Sequence, residues 1–330
     1  MPGIRTLRKI QMGKETTAGT AVAATVIYRG QGLLNDDRVI TPVEEDIGQM
    51  VDYPRAYIPK LDASVVFDSS PATFEQLGYW LAAGIEGVAG SQDGSGSGYI
   101  YQHDLANSAA QTPYYWTIEG GDNQREDEME YSFVESFTMN GAADEAVMVS
   151  GTWRGRQATD AAFTTGLTPE TVEEILQNKG KLYIDAAGGT IGTTQKTATW
   201  LGWTLNVVTG FQGIPAGDGN LYFSSTKQVK PEVTGELILE HDATGEAEIT
   251  AARAKTGRLI RMQWEGSAFT TAGTTYTYKT LQINMAVQYT DVPTMGEDEG
   301  NDTITLPFRI VDSDSTQLQF INVPALTALV

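Results

Sequence analysis

His103 and His241 are the only imidazoles in the 330-residue chain, and there is no cysteine. Nucleophilic catalysis of the Ser/His/Asp kind would have to run through one of them. His103 sits in Tyr101-Gln-His-Asp104 after a Gly/Ser stretch, and His241 in Glu240-His-Asp242 at the end of an alternating run. Neither lies near a Gly-x-Ser-x-Gly turn that would expose a nucleophile, so both read as surface turn residues. Carboxylates cluster in Glu126-Asp-Glu-Met-Glu130 and Glu297-Asp-Glu-Gly-Asn-Asp302. Oxygen ligands of this kind suit a hard divalent cation, but the spacing of an EF-hand loop is missing; both read as solvated turns. Asp93-Gly-Ser-Gly-Ser-Gly98 lacks the Lys-Ser/Thr end of a phosphate-cradling loop and reads as a flexible loop tip. The Asn301-Asp-Thr303 glycosylation pattern stands without any sign of secretion. No constellation supports an active site, and no cofactor or metal is expected.

Composition narrows the class further. The chain carries 42 acids against 22 bases, a net charge of −20. Tight nucleic-acid binding needs clustered Lys and Arg to displace counterions, so this surface repels phosphate instead. The opening Met1-Pro-Gly-Ile-Arg-Thr-Leu-Arg-Lys-Ile-Gln11 has no apolar core of a signal peptide, and no apolar run is long enough to span a bilayer. A soluble protein made in a cytoplasm is expected.

The elements that hold these residues are mostly strands. Period-two alternation runs through Leu61–Phe67, Tyr131–Met139, Val147–Trp153, Val233–Leu239, Tyr276–Met285 and Thr303–Ile310, as half-buried antiparallel strands require. Three stretches predict helices. One starts at Ser70-Pro71 with Phe74, Leu77, Trp80 and Leu81 on a stripe. A second starts at Thr168-Pro169 with Val172, Ile175 and Leu176 on one face and Gly180 beyond its end. The third covers roughly Thr244 to Lys255. The six tryptophans, Trp80, Trp116, Trp153, Trp200, Trp203 and Trp264, alternate with apolar neighbours and read as core rather than as sugar platforms.

The two halves resemble each other. Lys60-Leu-Asp-Ala-Ser-Val-Val-Phe-Asp68 parallels Lys230-Pro-Glu-Val-Thr-Gly-Glu-Leu-Ile238, and each precedes a predicted helix. Ile118-Glu-Gly120 parallels Trp264-Glu-Gly266, each ahead of a strand beginning at Tyr131 or Tyr276. Thr152-Trp-Arg154 parallels Pro307-Phe-Arg309, and the segment from Ile10 parallels that from Tyr183. A duplication is expected, with domains at 1–165 and 166–330.

Gly13-Lys-Glu-Thr-Thr-Ala-Gly-Thr-Ala21, after Arg8-Lys-Ile-Gln11 and before Ala23-Ala-Thr25, resembles the opening of siphophage tail tube proteins. Pro231–Leu237 and Phe308–Asn322 are similar to that family as well. The resemblance implies a mainly β protein of β-sandwich or half-barrel tube domains, each with a flanking helix, here two in tandem. It implies a structural virion protein, not an enzyme, assembled in the host cytoplasm. Its rings stack into a hollow tail tube that passes double-stranded DNA without gripping it. Two domains per chain favour a trimeric, pseudo-hexameric ring over a hexamer of chains. Implied partners are further copies of itself, the tape measure protein, the tail terminator and the baseplate or distal tail proteins, with no membrane. Other readings remain: a head–tail completion or capsid decoration protein, or a carbohydrate-binding tip protein. Within the tube reading, Glu119, Glu130, Glu135 and Glu265 are candidates for an acidic lumen, which would let a duplex slide. Ring-to-ring contact is expected from three places: the arm Met1–Met12 with Arg5, Arg8 and Lys9; the loop Asn35–Tyr57 with Asp46, Asp52 and Arg55; and the apolar tail Ile321–Val330 with Val323 and Leu326. The loop is expected to lack structure of its own, with Gly213–Lys230 as its counterpart in the second half.

Overall fold

The computed structural model describes residues 2–311 and 317–329; Met1 and Val330, the ends of the expected arm and tail, lie outside the described residues. The first half runs β1 (Lys9–Lys14), β2 (Val26–Ile27), β3 (Gly32–Asp36), β4 (Val39–Val43), β5 (Arg55–Lys60), β6 (Ala63–Pro71), α1 (Leu77–Gly84), β7 (Ser91–Gln92), β8 (Tyr99–Asp104), β9 (Trp116–Gly121), β10 (Glu126–Ala142), β11 (Met148–Gly155) and β12 (Ala158–Asp160). The second runs β13 (Gly180–Ala186), β14 (Gln195–Lys196), β15 (Trp200–Val208), β16 (Phe211–Ile214), β17 (Ser225–Gln228), β18 (Glu232–Glu240), α2 (Ala243–Arg253), β19 (Arg258–Ala268), β20 (Tyr278–Tyr289), β21 (Thr294–Asp298), β22 (Asn301–Ile310) and β23 (Leu318–Val323). The fold is mainly β with one helix flanking each half, and alternation placed most strands where their side chains bury every second position, as in β18.

The pairing scheme repeats. β1–β2, β1–β9, β9–β10, β10–β11, β11–β6, β6–β3 and β4–β5 recur as β13–β14, β13–β19, β19–β20, β20–β22, β22–β18, β18–β15 and β16–β17, all antiparallel. Register agrees where the sequence match is good: Trp153 faces Val65, and Phe308 faces Gly235. Arg154 holds Asp62 at 2.6 Å, and Arg309 holds Glu232 at 3.0 Å, the same pair in each half. Two matches do not survive. Glu119 faces Gln11 and Glu128 in mid-ladder, whereas Glu265 faces only Thr280, one residue past the end of the β13 pairing. Tyr131 lies within β10, whereas Tyr276 precedes β20. The Glu-Gly pair that the two motifs share occupies unequal positions in the two ladders.

The halves join through hydrogen-bonded strands. β10 pairs with β15, so β3–β6–β11–β10–β15–β18–β22–β21 is one continuous ladder of eight strands. A second seam forms where β23 pairs with β8. One apolar core runs through both halves and includes Trp80, Trp116, Trp153, Trp203 and Trp264, with Trp200 packed against it. The tryptophans are core residues, and truncating any of the fully buried ones would cost about 3–5 kcal/mol.

Of the helices, α2 forms where the sequence puts it, because the Asp242 carboxylate accepts the Thr244 and Gly245 N–H groups at 2.8 and 2.9 Å. α1 starts later than expected. Ser70 and Pro71 continue β6 opposite Val149 and Met148, and the helix begins at Leu77, buried on every side. The segment after Pro169 is not a helix. Ile175 donates to Ala72 O and accepts from Val147 N–H, which holds the chain extended. Ile175 and Gln177 are buried while Glu174 and Leu176 face out. A period-two pattern thus overrides a helix-like opening.

Candidate assembly surfaces

The loop Asn35–Tyr57 is structured. β4 and β5 make a hairpin with Thr41 opposite Tyr57 and Val43 opposite Arg55. Its residues belong to neither core cluster, and Val39, Ile40, Ile47, Val51, Tyr53 and Tyr57 are exposed apolar side chains. Exposed apolar residues concentrated on one projection mark an interaction surface. Asp46, Asp52 and Arg55 are exposed on it, with Arg55 held to Glu45 at 2.6 Å.

The counterpart hairpin β16–β17 folds inward. Phe211 and Phe223 are buried with Tyr131 and Phe133. Arg156 stacks its guanidinium 4.7 Å from the Tyr131 ring and 4.9 Å from Tyr222 while donating to Phe223 O and Gly19 O. The Leu61 N–H donates to Leu221 O at 2.9 Å. The second hairpin is therefore fastened to the first half.

The motif Glu15-Thr-Thr-Ala-Gly-Thr20 has a local cause. Glu15 accepts N–H bonds from Gly19 at 2.6 Å and Tyr131 at 2.7 Å, and Gly19 sits at φ +76°. Tyr131 itself has φ +55° where β10 bends between its two ladders. Burial raises the Glu15 carboxyl above its ordinary range, with the hydrogen bonds opposing. The motif pins the bend that lets β10 serve both sheets of the first half.

The four acids proposed for a channel occupy different surroundings. Glu119 is buried, and its carboxylate accepts from Ala24 N–H, Thr164 N–H and the Thr164 hydroxyl. Glu130 is also buried and accepts from Gln157 at 3.1 Å. Both carboxylates are spent inside the chain. Glu135 and Glu265 are partly exposed, paired with Arg154 at 3.3 Å and Lys181 at 2.8 Å. Burial and the neighbouring Glu119, Glu130 and Glu15 raise the carboxyl of Glu128, a member of the Glu126–Glu130 cluster, above its ordinary range.

In the arm, Arg5 and Arg8 are exposed and Lys9 opens β1 with its ammonium 4.0 Å over the Phe163 ring. The Ile4 N–H donates to Asn123 at 2.9 Å, which ties the arm to the β9–β10 turn. The tail is consumed internally. Val323 is fully buried on β23, Leu326 packs against the core, and the Tyr101 hydroxyl donates to Leu326 O at 2.9 Å. Its apolar character, expected to serve an interface, serves the chain's own core.

Three turn readings also change. His103 is fully buried on β8 with Nδ1 2.8 Å from Glu86 O, and burial pushes its pKa down to about 4. His241 does lie in the turn before α2, 3.5 Å from Glu246. Glu126–Glu130 begins β10 rather than a turn, whereas Glu299-Gly300, both at positive φ, form the tight turn between β21 and β22. Asp93 is not at a free loop tip: it is buried and accepts from the Thr275 and Tyr276 N–H groups at 3.0 and 2.7 Å. A side chain on Gly96 would meet Gly273 Cα at 2.5 Å, so that close approach requires glycine.

Residues 6–311 match the family model described as phage tail tube protein. No curated protein matches the chain.

Proposed function

The chain belongs to the phage tail tube protein family, and we propose from that premise that it stacks as rings around a channel that carries double-stranded DNA. It is a structural protein of the virion tail. The observation that carries the finer reading is the outward hairpin β4–β5, whose apolar side chains have no cover within the chain. We assign it to the contact between rings, with Asp46, Asp52 and Arg55 at its polar margin and Arg5, Arg8 and Lys9 of the arm beside acidic neighbours.

The eight-strand ladder is the proposed channel wall. Its outward face presents Thr138, Asn140, Thr152, Thr204, Asn206 and Glu236, a hydroxyl- and amide-rich surface without a basic stripe. Of the four acids, Glu135 on β10 remains the candidate to face DNA, whereas Glu265 lies on β19, outside this ladder. At about 4.8 Å between strands the ladder spans roughly 38 Å, so three chains would close a wall roughly 37 Å across, and six would double it. That width supports a ring of three two-domain chains, divided near residue 165. Tape measure, terminator and baseplate proteins would meet the same surfaces at the two ends of the tube, and assembly would occur in the host cytoplasm.

Electron microscopy of the purified protein tests this. Long tubes with a central channel are expected. Closed rings that never stack would instead favour a head–tail completion or decoration role.

A further inference from the structure

We propose that β21 of one copy of the chain pairs antiparallel with β3 of the next, with Thr294 opposite Asn35 and Met295 opposite Leu34. This deepens the tube reading and rests on it in one respect: copies of the chain meet side by side.

The register follows from the repeat inside one chain. β21 stands to β22 as the end of β10 stands to β11. Thr138 faces Ser150 and Met139 faces Val149, while Thr294 faces Thr305 and Met295 faces Ile304. These partners lie in step with the Trp153 and Phe308 match. β3 likewise stands to β6 as β15 stands to β18. Asn35 faces Ser64 and Leu34 faces Val65, while Asn206 faces Thr234 and Leu205 faces Gly235. Within the chain the outer edges of β10 and β15 meet: Thr138 opposite Asn206 and Met139 opposite Leu205. The Thr138 hydroxyl donates to Asn206 Oδ1 at 2.8 Å. At all four equivalent positions the residue type is the same: Thr294, Met295, Leu34 and Asn35.

Burial points the same way. Met139 and Leu205 are both 0% exposed, whereas Met295 is 53% exposed and Leu34 is only partly buried against the chain's core. β3 and β21 are the two ends of the eight-strand ladder, and among the described residues each pairs along one edge only. An unpaired edge carrying apolar side chains invites another strand. Because the two edges differ and complement each other, the contact is head-to-tail, the kind that continues around a ring.

A cysteine cross-link reads the register directly, because the native chain has no cysteine to confuse the result. Asn35→Cys with Thr294→Cys places two thiols on directly opposed positions, where Cβ atoms come within about 5 Å. On mild oxidation of the assembled protein, covalent multimers of the full chain are expected in denaturing gels. The shifted pair Leu33→Cys with Thr294→Cys should give at least tenfold less. Met295→Glu, which adds charge to a side chain already exposed, should leave the melting temperature of the single chain unchanged and raise the concentration needed for assembly at least tenfold. Assembled rings or tubes with no cross-link, or with the shifted pair favoured, would overturn this register and leave the tube reading standing. A chain that stays monomeric at every concentration would overturn both.

Discussion

The two hairpins, β4–β5 and β16–β17, hold equivalent places in the repeated pairing scheme and meet opposite fates. The second buries Phe211 and Phe223 against Tyr131 and Phe133 and is clasped by Arg156. The first leaves Ile40, Tyr53 and Tyr57 uncovered. What the second hairpin finds inside the chain is a neighbouring half; the first has no such neighbour until another copy arrives. The difference teaches that equivalent hairpins serve two ends: the second closes the joint between the halves, and the first is left free for the contact between rings. The sheet shows one lateral contact in two states, where β10–β15 is a finished junction and β3 and β21 are its open halves.

The strongest way to break the comparison is to remove residues 44–54 and close β4 on β5 with a short turn. Assembly should be lost while the melting temperature of the single chain stays within about 2 °C, since a change outside the core is worth no more than about 0.5 kcal/mol. Scattering and microscopy would read the first effect and calorimetry the second. The opposite profile is expected from Phe223→Ala. That substitution should destabilise the chain by about 3–5 kcal/mol in urea titrations, as loss of a buried phenyl does.

The seam between halves also predicts a pH dependence. His103 is buried with its pKa pushed down to about 4, below the ordinary 6.5 of an unfolded chain. The unfolded state therefore takes up its proton first. The stability is complete above about pH 6.5 and is lost as pH falls toward 4, by about 3 kcal/mol in total. Denaturant titrations at pH 7 and pH 4 should show this loss, and His103→Leu should reduce the difference between the two. A smaller effect is expected from Arg156→Lys, which keeps the charge but loses the planar fork that stacks on Tyr131 and bonds two carbonyls. A cost of about 1 kcal/mol is expected, with assembly retained.

Much of this fold was legible because alternation is a local signal. Strands such as β18 and β22, the helix near Thr244 to Lys255 and the core tryptophans all follow from residue order alone. The repeat was legible where whole strands matched, as at Lys60 and Lys230, and misread where two residues coincided, as at Glu119 and Glu265. The segment after Pro169 defeated the sequence because its opening resembles a helix cap, while its extended form is set by Ala72 and Val147, distant in sequence. His103 and Glu119 were misjudged for a related reason. A polar type argues for the surface, and only the fold reveals that Glu86 O, or the Thr164 N–H and hydroxyl, supplies the buried partner. The tail shows the converse: its apolar run signalled burial correctly but could not say against which chain.

The measurement that bears most directly on the account is a cryo-EM reconstruction of the assembled protein at a resolution that traces strands. The account predicts rings of three chains, β21 of each paired with β3 of the next, and every β4–β5 hairpin seated on the adjacent ring. Six identical chains per ring, or hairpins left in solvent between rings, would contradict it.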